Sequence, residues 1–253
     1  GPEIVGGLVA WPGSEAPGVL ELYRTLAENA PPELTLVAML RLAPPAPWIP
    51  KDWHGKLIVG LLACYTGKPG EGEKLVAPIK SFGNPIGDVL VRRPYAQLQS
   101  LLDATQPKGR RYYWKSEYLS SIEPELCAKI IEDAANIRSP HSAIALFQIG
   151  GALNRLDQDY SPAGNRDAKY VLNIPGSWER ADEDKANIDW VRETWNDLKR
   201  FSTGGTYINF LTEDEGPERT GLALGKALQR LAEVKKRWDP ENMFCTNRNI
   251  KPA

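Results

Sequence analysis

The sequence predicts a mixed strand-and-helix fold, α/β or α+β, and three observations carry that reading. Short runs rich in β-branched, aromatic and leucine residues recur along the chain, separated by amphipathic stretches of helical period. No glycine-rich turn joins a strand to a helix in the manner of a dinucleotide-binding fold. No internal repeat or linker interrupts the 253 residues, which read as one unit. Alternation by itself leaves parallel and antiparallel arrangements both open.

Taken in order, Glu3–Trp11 is a strand closed by Pro12-Gly13. Ala16–Glu28 is a helix whose apolar side carries Leu20, Leu22, Tyr23 and Leu26. Leu34–Leu42 is a strand, stopped by the proline-rich run Pro44–Pro50, which reads as an extended surface loop. Lys56–Tyr65, apolar on both faces, belongs in the middle of a sheet. Glu71–Phe82 is a helix, Asp88–Val91 a short extended piece and Tyr95–Ala104 a helix. Arg110–Lys115 is a strand that points Tyr112 and Trp114 one way and Tyr113 and Lys115 the other. Leu119, Ile122, Leu126, Ile130 and Ile137 mark a further helix by their spacing. Ser142–Leu153 is a long strand broken at Gly150-Gly151. After a loop at Asp157–Asn165 come the strand Tyr170–Ile174 and the helix Asn187–Phe201, with Ile188, Val191, Trp195 and Leu198 inward.

The rest of the chain is organised around Phe201–Ile250. TYINFL (Thr206–Leu211), introduced by Gly204-Gly205, reads as a buried strand holding one amide, Asn209. Glu213–Glu215 and Gly216 make an acidic, solvated turn. A single long helix follows, with Leu224, Leu228, Leu231 and Val234 on one buried face, and Asp239-Pro240 ends it. The tail lays Asn242, Asn247 and Asn249 around Phe244 and Ile250.

Composition removes several function classes. There are 31 basic and 32 acidic residues and no basic block, which argues against nucleic acid as a partner. No apolar run approaches the roughly 20 residues of a membrane span. Three dispersed cysteines, Cys64, Cys127 and Cys245, give neither a disulfide framework nor a zinc spacing, and two histidines make a multi-histidine metal site an unpromising expectation. Cell location stays open, the cytoplasm being favoured.

The order TYINFLTEDEG, a helix, then RWDPENMFCTNRNIKP resembles the C-terminal signature of the berberine bridge enzyme-like flavoproteins, FAD-linked oxidases of the vanillyl-alcohol oxidase type. GGLVAWP (Gly6–Pro12), RYYWKS (Arg111–Ser116), IGGALNRL (Ile149–Leu156), NRDAKY (Asn165–Tyr170) and NIDWVRETW (Asn187–Trp195) resemble further blocks in family order. The resemblance implies an α+β fold, with a large, mostly antiparallel sheet. Helices cover one face and the other face covers a flavin. It makes residues 1–253 a substrate-binding domain, closed by a berberine-bridge-type segment from about residue 201. An FAD-binding domain before Gly1 would be the missing partner. The chain alone would then hold no FAD tightly and turn nothing over, and its uncovered face would favour self-association.

The resemblance also nominates site residues. Asn173 and Tyr170 lie in the strand KYVLNI over the reacting side of the flavin, where Asn173 can orient or polarise but cannot act as a base. Tyr207 is the candidate general base. Some members carry a second tyrosine where this chain has Phe210, and many show His-Arg where it has Asn165-Arg166. Asn209, Asn247 and Asn249 are the candidate cofactor contacts. Tyr113, Lys115, Gln148 and Tyr170 are the candidate substrate contacts, each with a bland alternative as packing or a solvated charge. The implied reaction is hydride removal from an alcohol, sugar or amine carbon of a small molecule, with dioxygen reoxidising the flavin. The other reading is a non-catalytic module that kept the fold and binds a small molecule or a protein.

Overall fold

A computed structural model describes residues 2–158 and 160–253. Gly1, and Asp159 at the head of the Asp159–Arg166 stretch, lie outside the described residues. The strands are β1 (Glu3–Pro12), β2 (Leu34–Leu42), β3 (Leu57–Tyr65), β4 (Gly87–Asp88), β5 (Val91–Pro94), β6 (Arg111–Leu119), β7 (Ala143–Gln148) and β8 (Tyr170–Trp178). They form one 8-stranded sheet in the order β4-β1-β3-β2-β7-β8-β6, with β5 also on β1. Every pairing is antiparallel, which settles the fold as α+β. β3, apolar on both faces, lies between β1 and β2 as its composition predicts.

The helices are α1 (Ala16–Glu28), α2 (Pro69–Lys80), α3 (Tyr95–Gln99), α4 (Pro124–Ala134), α5 (Asp184–Leu198), α6 (Pro217–Leu224) and α7 (Ala227–Trp238). One sheet face packs Val9, Trp11, Leu36, Leu40, Leu61, Leu146 and Leu172 against Leu20 and Tyr23 of α1, Ile79 of α2, Ile130 of α4 and Val191 of α5. Each such side chain contributes about 1.5–3 kcal/mol on burial, so this helix-side layer is the main source of stability. Two polar groups inside it fix the packing. Trp11 Nε1 donates to Phe82 O at 2.8 Å, and the Tyr23 hydroxyl donates to Leu146 O at 3.0 Å, joining α1 to β7. Gly7, in the GGLVAWP block, has φ 148, and a Cβ there would sit 2.0 Å from Val89 O. Only glycine lets the 87–91 segment cross β1 so closely.

Several predicted elements need correction. Leu119 ends β6 and Ile137 lies beyond α4, so the helix is shorter than the spacing from Leu119 to Ile137 predicts. The strand predicted over Ser142–Leu153 stops at Gln148, before Gly151 at φ 64. The proline run is not simply a surface loop, because Ala43 and Ile49 bury against Ala10 and Ile58. It folds over the sheet face opposite α1, and α3 lies on that side too, with Leu98 against Gly6.

The largest correction is at Thr206–Leu211, which is not a strand. The outer edge of β6 takes only two backbone hydrogen bonds there, Tyr118 N to Gly205 O and Thr203 N to Tyr118 O. Ser116 O then accepts side chains instead, Thr206 Oγ1 at 3.0 Å and Arg219 Nη2 at 3.0 Å. With the edge satisfied this way the chain turns off, and Ile208–Phe210 tightens into a 3₁₀ turn despite its β-forming composition. The predicted long helix is likewise two, α6 and α7, broken at Gly225 with φ 54. Its apolar stripe exists, but Leu228 and Val234 are exposed.

Candidate functional site

Alternation along the strands places a different set of residues on the sheet face away from α1. Ser116, Asn173, Ala145, Met39, Gly60 and Ala10 are successive cross-strand partners on that face. At about 4.8 Å per strand the row runs roughly 24 Å. Apart from Met39 its side chains are short. The next row reads Tyr118, Val171, Phe147, Val37, Leu62 and Leu8, all large. On the other flank Trp114 faces Pro175, and Arg41 faces Ile58. A row of small groups between rows of large ones is a trough.

Asn173 lies within the trough. Its neighbours Leu172 and Ile174 point into the helix-side core, so its own side chain takes the opposite face. It is 7% exposed, and its Oδ1 has no hydrogen-bond partner. A buried amide oxygen without a partner is uncommon in folded proteins and marks a place that accepts a donor.

Beside Asn173, Tyr118, Ala168 and Val171 form a small apolar cluster with Phe147, Ile149 and Phe210. Phe210, where some members of the resembled family carry a second tyrosine, packs 6.3 Å from the Phe147 ring. Tyr207 stands edge-on to it at 5.1 Å and is exposed. Asn209, predicted as a buried amide, is exposed, and its Nδ2 donates to the Tyr207 hydroxyl at 2.8 Å. Tyr207 and Asn209 are therefore brought together on the side of the cluster. Burial, and secondarily the neighbouring Tyr207, push the Tyr118 phenol up to about 12, so Tyr118 stays protonated and does not act as a base.

Tyr170, Gln148, Tyr113 and Lys115 lie on the helix side of the sheet. Tyr170 is buried at 2% exposure against Tyr23. Gln148 clamps two elements: its Oε1 accepts Leu36 N at 3.0 Å and its Nε2 donates to Ala27 O at 3.3 Å. Tyr113 and Lys115 belong to an ionic cluster where the edge of β6 meets the 212–219 turn. Lys115 Nζ lies 3.1 Å from Asp214 and 3.4 Å from Glu215, and the Tyr113 hydroxyl donates to Asp214 at 2.6 Å. Arg219 bridges Glu215 at 3.1 Å and Glu117 at 2.9 Å, and Arg192 reaches Asp214 at 3.0 Å. Lys115 is thus a buried ion-pair partner rather than a solvated strand-end charge, and of the acidic turn Glu215 is buried while Glu213 and Asp214 are exposed. In the tail, Arg248 donates to Thr212 O and Glu215 O, anchoring the chain between Asn247 and Asn249 to the same turn. Asn247 is exposed with φ 58, and the Asn249 Oδ1 is buried without a partner.

Burial alone would raise the Asp214 pKa, but hydrogen bonds from Thr212, Tyr113, Arg192 and Lys115 outweigh it and hold the carboxyl well below its usual 3.8. A depressed carboxylate stabilises the fold fully above its unfolded-state value and loses that contribution as pH falls toward the folded value. The stability gap between the parent and Asp214→Asn, measured by urea titration, is therefore expected to hold from pH 7 to about 4 and to narrow below it.

Asn165 adds a joint between loop and helix. It adopts φ 58, a conformation asparagine tolerates, and its Nδ2 donates to Leu222 O at 3.1 Å on α6. A Cβ on Gly205 would meet its Oδ1 at 2.0 Å. Gly205 therefore makes room for this amide instead of opening a strand.

Residues 206–251 match the family model described as berberine and berberine like. An FAD-linked oxidoreductase of Dictyostelium discoideum is 30% identical over 197 residues, 77% of this chain and 42% of that protein. Residues 206–251 thus form a berberine bridge enzyme-like segment, and the chain as a whole is similar to FAD-linked oxidoreductases of that family. Tetrahydroberberine oxidase of Berberis wilsoniae is 26% identical over 180 residues, covering 62% of this chain and 33% of that one. Among solved structures, berberine bridge enzyme from Eschscholzia californica superposes with TM-score 0.79 at 14% identity, over 99% of this chain and 55% of that one. The chain thus spans about half the length of the relatives it matches, and the shared architecture is the antiparallel sheet with its helices.

FAD is the cofactor named for relatives in this berberine bridge enzyme-like family. The open face fits a flat group with polar edges, since the trough is walled by large side chains and holds the unpartnered Asn173 Oδ1. Sequence reasoning missed Ser116 and Tyr118 because it ended the strand at Lys115. Their signal was the continued alternation Tyr112, Trp114, Ser116, Tyr118. It also missed Met39 and Arg41, although LTLVAMLRL sets them two apart on one face.

Proposed function

We propose that this chain forms the substrate-binding roof of an FAD-dependent oxidoreductase acting on an alcohol, sugar or amine carbon. The observation that carries the reading is the trough across the open sheet face with the unpartnered Oδ1 of buried Asn173 in it. When bound, FAD supplies the hydride acceptor, and dioxygen is the proposed final oxidant. The chain's own groups supply position and proton handling. The Asn173 amide oxygen accepts a hydrogen bond from a substrate hydroxyl or ammonium and fixes its orientation. Tyr207, oriented by the Asn209 N–H, is the phenol that takes or returns the substrate proton. Phe210, Phe147 and Tyr118 keep water from that corner.

The FAD-binding portion of a complete protein is the proposed partner. Trp238, Met243 and Phe244, at 74%, 76% and 79% exposure, with Val234 on the α7 stripe, offer it an apolar surface. Asn247 and Asn249, beside that surface, are the proposed cofactor contacts.

The test compares the chain alone with the chain fused to the FAD-binding portion of the Dictyostelium relative. After mixing with FAD and gel filtration, flavin absorbance is expected to be lost from the first and kept by the second. Anaerobic addition of alcohols, sugars or amines is then expected to bleach the fused protein. A fused protein that holds FAD but is bleached by none of them overturns the reading.

A further inference from the structure

Over the Met39–Gly60–Ala10 end of the trough lies a cavity of about 490 Å³, between the 44–48 loop and the 101–105 turn, a size suited to a small organic ligand. Its walls are mostly apolar, with Leu8, Met39, Trp48 and Ile58 among them, but one end carries Arg41, Arg110 and His141. The charges at that end do not balance. Glu179 is the carboxylate there, 3.8 Å from Arg110 and 3.3 Å from His141, and its side chain is 67% exposed. Among the described residues no carboxylate lies within 4.0 Å of Arg41. Its guanidinium donates only to backbone oxygens, Leu42 O and Pro140 O, both at 3.3 Å. Burial, then the nearby Arg110, lower its pKa from the ordinary arginine value. Burial and Arg110 likewise lower that of His141. Two guanidiniums against one largely solvated carboxylate leave about one positive charge uncompensated at the end of an apolar chamber.

We infer that this cavity binds an apolar or aromatic carboxylic acid, its carboxylate held by Arg41 and Arg110 and its body lying along the sheet toward Asn173. A guanidinium presents a planar fork that matches a carboxylate, and a monoanion matches the excess charge. The reach is suitable as well. Arg41 is two residues along β2 from Met39, which lies two strands from Asn173, so the two positions are separated by roughly 12 Å from strand spacings. An acid with an aromatic body spans that distance with its reacting carbon beside the amide. The inference rests on the reading of the open face as a substrate site and names the class of substrate.

Every wall residue belongs to this chain, so binding is measurable without flavin. Calorimetric titration with 2-naphthoate and 4-phenylbenzoate, each paired with its neutral primary amide, is expected to show the acids binding at least tenfold tighter than the amides. Arg41→Gln is expected to erase that ratio while leaving amide affinity within about twofold, which also shows that the cavity is still formed. Arg110→Gln is expected to reduce the ratio severalfold. Equal affinity for acid and amide, no saturable binding of either acid at millimolar concentration, or an acid preference that survives Arg41→Gln overturns the inference. Failure of the flavin-bleaching test would leave the acid-to-amide ratio unaffected, so the two results separate.

Discussion

Replacing Glu117 with alanine is expected to destabilise the protein by about 3 kcal/mol and to lower its thermal midpoint by roughly 10 °C. Glu117 is 2% exposed on the helix face of β6. It accepts Trp195 Nε1 at 2.7 Å and the Ser202 hydroxyl, and pairs with Arg219 at 2.9 Å. These partners come from α5, the 199–203 turn and α6, so one carboxylate joins the sheet edge to three later segments. Removing one member of a buried pair typically costs about 3–5 kcal/mol, because the other charge is left without compensation. The lower figure applies because Arg219 keeps Glu215 at 3.1 Å. Glu117→Gln keeps one acceptor oxygen, for Trp195 Nε1, and its amide N–H can donate to the Ser202 hydroxyl oxygen instead of accepting from it, so it is expected to lose roughly half as much. Circular dichroism melts give the midpoints. Limited proteolysis is expected to cut Glu117→Ala within residues 203–253 before the rest of the chain. A midpoint within about 2 °C of the parent would mean that the cluster does not hold the C-terminal segment to the sheet.

The same cluster shows where sequence reasoning stopped. The strands and helices of the sheet layer follow from local pattern. Ala16–Glu28 and Leu34–Leu42 were read to their exact ends, since a buried layer imposes a period of 3.6 or 2 on its residues. What local pattern could not give was the β6 edge. Thr206–Leu211 has a strand's composition, and only the partners at Ser116 O, brought from 90 and 103 residues away, decide against a ladder. Lys115 and Glu215 likewise read as surface charges until the fold buries them against each other. The candidate site was readable in part for a related reason. Asn173 faces the open side because its strand alternates, and one residue of slip would have buried it among the helices. Tyr170 and Gln148 were nominated without that parity, and they sit on the helix side.

Asn173→Ala separates orientation from stability. In the FAD-loaded fused protein the rate of anaerobic flavin reduction is expected to fall by about 10²-fold, which corresponds to roughly 2.7 kcal/mol of lost transition-state stabilisation. The thermal midpoint is expected to move by only a few degrees, because the Asn173 Oδ1 has no partner inside the protein to lose. That asymmetry follows from burial. An amide oxygen at 7% exposure has already given up water, so its hydrogen bond to a substrate replaces nothing and acts in a low-dielectric surrounding. Flavin absorbance after gel filtration should be unchanged, which ties the loss to substrate positioning rather than to cofactor occupancy. Asn173→Asp keeps the shape but brings a carboxylate into a site that disfavours charge, so its flavin reduction is expected to depend on pH where the parent's does not follow that group. If Asn173→Ala reduces flavin within threefold of the parent rate, the trough is not where the substrate is oriented, and the row of small residues across β8, β7 and β2 is packing alone.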